Sequence, residues 1–250
     1  PYVLSDNTIT LTDAGHIPGS AMVEIAHKGK RVFYTGDFKM SHTRLHSPAI
    51  PPENPPAAMI LESTYFNKEH PPRQEVERAL YREAIAIIES GGTLLLPSFA
   101  VGRSQELLSV IRHFDPKIPI YIDGMARKAC EIVSRNTEFI KDPQGFKKAL
   151  SSATYARGKP GKKNAMKEPA VIISTAGMLE GGPALGYLTR LNSESKLILT
   201  GFCLEGTNGW KLLNGKPITV DGEERNCQVP VEYLDFSAHA GRSARANPSS

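Results

Sequence analysis

Two short segments near the start of the chain carry residue types suited to a divalent metal ion. Ala14-Gly15-His16-Ile17-Pro18-Gly19-Ser20 sets a histidine in a glycine-bounded turn, and Thr35-Gly36-Asp37-Phe38 sets an aspartate at the end of an alternating run. An imidazole and a carboxylate at neighbouring strand ends are donors for a hard or borderline ion. Spacing alone leaves a plainer alternative open, a turn histidine bonded to backbone and an aspartate that starts a turn. His239, in Phe236-Ser237-Ala238-His239-Ala240, is a third candidate, and its plain alternative is a partly exposed histidine.

Four further segments follow apolar runs with hydroxyl, acidic or glycine residues: Glu62-Ser63-Thr64-Tyr65, Pro97 to Gln105, Ser174-Thr175-Ala176-Gly177 with Gly181-Gly182-Pro183, and Gly201 with Gly206-Thr207-Asn208-Gly209. Glycine-rich turns at helix starts offer unpaired N–H groups and a favourable dipole to phosphate. Ser174, Thr175 and Gly177 are read here as candidate substrate contacts. Arg103 sits where a helix should begin, placed either to fork onto a phosphate or to solvate the helix end. Arg157, Lys159, Lys162, Lys163 and Lys167 crowd one Gly/Pro-containing stretch, which reads as a solvated loop.

The elements that must position these residues are legible from periodicity. Residues 7–12, 21–27 and 31–35 alternate with period two, and the last two flank Lys28-Gly29-Lys30, a hairpin signal. Prolines at 48, 51, 52, 55 and 56 then interrupt any helix or central strand. Beyond them the rhythm changes. Residues 57–61, 93–96, 118–122, 170–173 and 197–199 are short apolar runs, expected as strands buried on both faces. Helical stripes over 72–90, 103–114, 125–135 and 183–191 alternate with them. The expected fold class is α/β, a mostly parallel, doubly wound sheet in which ligands collect outside the carboxyl ends of the strands.

Composition narrows the functional classes. Among 250 residues, 40% are apolar and 22% charged, which excludes a disordered, collagenous or coiled-coil chain. No apolar run approaches the roughly 20 residues of a membrane span, and no secretory signal pattern opens the chain. Cys130, Cys203 and Cys227 stand far apart with no C-x-x-C pair, so a reducing cytoplasm is the expected compartment. A net charge of +4 permits a polyanionic partner without demanding one. No G-x-G-x-x-G or Walker-type lysine supports a nucleotide-binding alternative. The opening Pro1-Tyr2-Val3 and the polar tail 241–250 suggest a fragment of a longer protein.

The ordered set GHIPGSAM, TGDF, LESTY, PSFAVGRSQELL, STAGMLEGGP, GTNGW and FSAHA resembles the metallo-β-lactamase/β-CASP nucleases over residues 1 to about 240. The resemblance is strongest to archaeal mRNA 3′-end-processing factors, relatives of the cleavage and polyadenylation specificity factor endonuclease and of RNase J. It implies a β-CASP domain attached to part of an αββα sandwich: residues 1–56 as a partial metallo-β-lactamase domain, 57–235 as the β-CASP domain and 236–250 as a return segment and tail. It implies a zinc-dependent ribonuclease, with two zinc ions in the family site. His16 and Asp37 fall on metal ligands, and Glu62 on the acidic residue that opens the inserted domain. His239 falls on the group that protonates the leaving group or holds the scissile phosphate, and Ser237 on a phosphate contact. RNA is the expected partner, with a homodimer or processing-complex partners as the expected assemblies. The alternative is an RNA-binding clamp of the same fold without catalysis.

The family's H-x-H-x-D-H run is absent among the seven histidines, 16, 27, 42, 46, 70, 113 and 239, and is expected upstream of Pro1. The family's last histidine ligand is expected beyond Ser250, and Gly241 stands where the family usually has Asp. A catalytic zinc takes about three protein ligands. With His16 and Asp37 alone, the expectation is weak or no zinc binding and no turnover by this chain by itself.

Overall fold

Alternating Thr, Ile, Leu and Val over the first sixty positions build one five-stranded sheet in the computed structural model, which describes residues 2–4 and 6–242. β1 (Tyr2–Leu4), β2 (Asn7–Asp13), β3 (Ala21–His27) and β4 (Lys30–Tyr34) are antiparallel neighbours in that order, and β5 (Ala58–Ile60) joins β4 in parallel. The β3–β4 hairpin turns through Lys28 and Gly29 with φ of 46° and 78°, the left-handed pair that a tight hairpin requires. Period-two alternation sorts the faces. Met22 and Phe33 are buried with Ala14, Phe38, Ala49 and Ala240 in a small core. Ile25, Val32, Tyr34 and Ile60 share the opposite, exposed face.

The run at 57–61 corrects one expectation. Read as a strand buried on both faces of the parallel sheet, it forms β5 instead, an exposed edge strand of the antiparallel sheet. A short apolar run does not reveal its partner, and here the backbone pairing with Val32–Tyr34 decided it. The chain divides into two compact units, one of Pro1–His70, Glu138–Lys141 and Ala238–Ser250 and the other of Pro71–Thr137 and Asp142–Ser237. The divisions fall at 70/71 and 237/238, later than the expected 56/57 and 235/236.

The second unit alternates helices and strands: α1 (Arg73–Glu89), β6 (Leu94–Pro97), α2 (Arg103–Phe114), β7 (Ile120–Asp123), α3 (Met125–Arg135), α4 (Pro143–Ser151), β8 (Thr154–Tyr155), α5 (Gly158–Asn164), β9 (Val171–Ser174), α6 (Gly182–Leu188), β10 (Lys196–Leu199), α7 (Asn208–Leu213), a β11 (Ile218–Val220) to β12 (Glu223–Arg225) hairpin, and β13 (Val231–Tyr233). Six strands form one sheet in the order β13-β10-β6-β9-β7-β8, and every neighbouring pair is parallel. The α/β class read from the alternation is therefore the observed one. β6 and β9 are buried along their whole length, as expected of central parallel strands. α1 buries Val76, Leu80 and Ala84 at a four-residue spacing, and its buried Glu77 takes Arg73 at 3.4 Å.

The basic stretch 157–167, read as a loop, contains α5, and α4, α7 and β13 went unread. These elements are short, so their periodicity is weak. Among the described residues no helix is long and apolar enough to cross a membrane.

Candidate functional site

His16 is held by a turn that only glycine permits. Gly15 has φ +65°, and a Cβ there would lie 2.7 Å from the Lys39 carbonyl oxygen and 2.8 Å from Ser47 O and Ala49 N. Asp13 Oδ1 accepts the Gly15 N–H at 2.7 Å, and Ser20 Oγ accepts the N–H groups of His16 (3.3 Å) and Ile17 (3.2 Å). The His16 Nδ1 lies 2.9 Å from the Ala238 carbonyl oxygen. A carbonyl only accepts, so Nδ1 carries the proton and donates, which makes Nε2 the lone-pair nitrogen of the neutral ring. That Nε2 is 3.8 Å from Asp37 Oδ2.

The return segment completes the group. The His239 ring centroid is 4.6 Å from that of His16. One ligand atom from each of His16, Asp37 and His239 lies within 4.8 Å of the others, and this trio is the one such group found among the described residues. Lys39, only 6% exposed, donates from Nζ to the His239 carbonyl at 3.0 Å. Consecutive carbonyls, Ala238 and His239, are thus clamped by His16 and Lys39. Tyr65 packs against His70 (5.0 Å) and His239 (6.0 Å).

Glu62 also approaches His239, with Oε1 at 3.5 Å from Nδ1. Its Oε2 accepts the Thr64 N–H at 2.8 Å, and its own N–H donates to Thr35 Oγ1 at 3.3 Å. Burial pushes the Glu62 carboxyl up, but the bonds from His239 and Thr64 outweigh it and hold the group at about 2. Glu62 is thus a carboxylate at neutral pH, set against the Nδ1 edge of His239.

The remaining sequence candidates belong to the other unit. Arg103 requires a correction. Expected at an open helix end, it is 9% exposed, and its Nη1 donates to the Phe236 carbonyl. Burial, and then the neighbouring Arg73 charge, pull it down to about 10. It is a packed ion in the α2 region with no open fork for a phosphate. Ser237 is 5% exposed, its N–H donating to Asp235 Oδ1 at 3.0 Å. Ser174 is fully buried, while Thr175 Oγ1 accepts the Met125 N–H at 3.1 Å. Gly177 leaves the Phe99 backbone room, since a Cβ there would lie 3.1 Å from the Phe99 nitrogen.

Sequence reasoning passed over Lys39 and gave Tyr65 no role. The one signal for Lys39 was its position two residues after Asp37, which does not distinguish a buried lysine from a solvated one.

An all-parallel α/β unit, and an antiparallel sheet whose loops gather His16, Asp37 and His239, define a β-CASP protein of the metallo-β-lactamase type. Residues 104–212 match the Beta-Casp domain, so the chain carries a domain of that family. It is 38% identical over 238 residues to RNase aCSPSF2 of Saccharolobus solfataricus, covering 94% of this chain and 48% of that protein. It is 34% identical over 245 residues to Probable RNase MJ4 of Methanocaldococcus jannaschii, covering 94% of this chain and 57% of the relative. Against the transcription termination factor FttA of Thermococcus kodakarensis the identity is 32% over 268 residues, with 96% and 41% covered. The chain spans about half the length of the curated relatives it matches.

Proposed function

We propose that the chain serves in a metal-dependent ribonuclease of RNA 3′-end processing or maturation. His16 and Asp37 are its metal ligands, and Glu62 and His239 handle the proton and the scissile phosphate. The observation that carries this reading is the convergence of His16, Asp37 and His239 within 4.8 Å. The names of the relatives, two RNases and a termination factor, support RNA as the substrate class.

The donor set fits zinc. An imidazole and a carboxylate, those of His16 and Asp37, are borderline donors of the kind zinc takes. The Ala238 carbonyl fixes the His16 ring through Nδ1, the kind of outer contact that orients a ligating histidine. A zinc ion held there would supply Lewis acidity toward a phosphodiester. The side chains do the rest. Ionised Glu62 holds the His239 ring through Nδ1, which leaves Nε2 to deliver a proton to a departing oxygen. His239, the third member of the trio, is kept for the proton, so His16 and Asp37 remain the two protein donors to an ion. The two-ion site of the family needs further ligands, so turnover by this chain alone is expected to be low.

Zinc titration by calorimetry tests the site. Weak binding of at most one ion per chain is expected, lost in His16→Ala and in Asp37→Ala, and binding that survives both changes would reject the assignment. Cleavage of labelled RNA with and without a chelator tests the activity. RNA binding with no chelator-sensitive cleavage, even at saturating zinc, would favour the clamp.

A further inference from the structure

Residues 157–167 hold five cationic side chains and no acidic one, in a chain whose net charge is only +4. The fold concentrates them. Gly161 lets α5 settle close to β8, since a Cβ there would lie 2.9 Å from the Ala156 carbonyl carbon. Lys162 then reaches back to Asp123 at the end of β7, with Nζ at 3.7 Å from Oδ2. Arg127 of α3 comes within 3.6 Å of Asp123 Oδ1. Asp123 is 2% exposed and also accepts from the Tyr187 hydroxyl (3.0 Å) and the Gly124 N–H (2.6 Å).

One buried carboxylate therefore gathers two cations and balances only one of them. Their side chains keep 30% (Arg127) and 39% (Lys162) exposure. Arg157, 68% exposed, is matched by Glu131 at 3.2 Å. Lys159, Lys163 and Lys167 are exposed. Lys159 and Lys163 recur one helical turn apart, ~5.4 Å along the axis, a spacing suited to successive charges of an extended polyanion. The position matters too. Asp123 is in register with Ser174, and the Met125 N–H bonds Thr175 Oγ1, so these cations flank the sheet edge formed by Ser174 and Thr175.

We propose that α5 and the start of α3 form a docking surface for the phosphate backbone of an RNA strand. Asp123 is the buried carboxylate that keeps Arg127 and Lys162 in place. This inference rests on the RNA-processing reading above, which supplies the polyanion. It adds a surface that acts through charge and does not require the histidine cluster.

The test measures binding of a fluorescently labelled single-stranded RNA to the whole chain across a salt series. It compares the unaltered protein with the triple variant Lys159→Gln, Lys163→Gln, Lys167→Gln. The three lysines are exposed, so the triple variant should keep its melting temperature. The expected result is at least about tenfold weaker binding by the triple variant and a log–log salt slope shallower by about 2, from three phosphate contacts at ~0.7 each. Equal affinity and slope for the triple variant would overturn the surface and leave the RNA reading standing. No salt-sensitive RNA binding by the unaltered protein would overturn both. Tighter binding of polyglutamate than of RNA would also overturn the surface, in favour of an acidic protein partner.

Discussion

Lys39 Nζ donates to the carbonyl of His239 at 3.0 Å, joining residues 200 positions apart. A buried ammonium set on a backbone carbonyl fixes where the His239 ring begins, just as the His16 imidazole fixes the carbonyl before it. Lys39→Met keeps the stem and removes the donor. Zinc affinity is expected to fall about tenfold, the lower end of the effect of outer-shell contacts. Calorimetric titration checks this, and unchanged affinity alongside a lower melting temperature would make Lys39 a packing residue only.

Gly15→Ala and Gly19→Ala form a matched pair. Both sites have positive φ, 65° and 82°, but only Gly15 has backbone within 3 Å of the missing Cβ, and Gly19 has nothing within 4 Å. Gly19→Ala should cost about 1 kcal/mol from the left-handed backbone alone. Gly15→Ala should cost at least about 2 kcal/mol more, because its neighbours are carbonyl and amide groups that cannot swing away. Denaturant midpoints of the two variants measure the difference, and equal midpoints would contradict the crowding.

Glu62 makes stability depend on pH in a stated direction. Its native carboxyl is held at about 2 against an ordinary 4.5, so the folded state favours the ionised form. That contribution is complete above about 4.5 and lost as pH falls toward 2. Glu62→Gln has no such group to protonate. The melting temperature of the unaltered protein should therefore drop more steeply between pH 4.5 and 2.5 than that of the variant. Parallel curves would show that the carboxylate is not held in its charged form.

Arg103 separates packing from recognition. Its buried guanidinium donates to the Phe236 carbonyl, and the neighbouring Arg73 lies 4.4 Å over the Phe236 ring and 2.5 Å from Glu106. Arg103→Met leaves that carbonyl without its donor, at a cost of about 1–3 kcal/mol. The salt slope of RNA binding should not change. Anisotropy and thermal melting on the same sample read both, and an RNA slope reduced by about one contact with unaltered stability would restore the phosphate role.

Most of the parallel unit was legible because short apolar runs and helical stripes are local. Leu94–Pro97 and Val171–Ser174 announced themselves as buried strands, and Val76, Leu80 and Ala84 as a buried helical face. The site was legible as residue types only: His16, Asp37, Glu62 and His239 were singled out, while Lys39, identical in sequence terms to a surface lysine, was not. Ser237 and Arg103 drew attention through neighbouring motifs, and neither motif carries information about burial.

By itself the sequence determined the alternation of helices and strands, the glycine turns and the donor types near each strand end, because each depends on backbone preferences within a few residues. Tertiary structure alone decided that Ala58–Ile60 pairs with β4, that Arg103 lies buried, and that the loop at His16 meets a segment 222 residues later. Such encounters depend on which surfaces remain to be covered once the local elements exist. That balance of burial and hydrogen bonding is summed over the whole fold and is written in no single stretch of it.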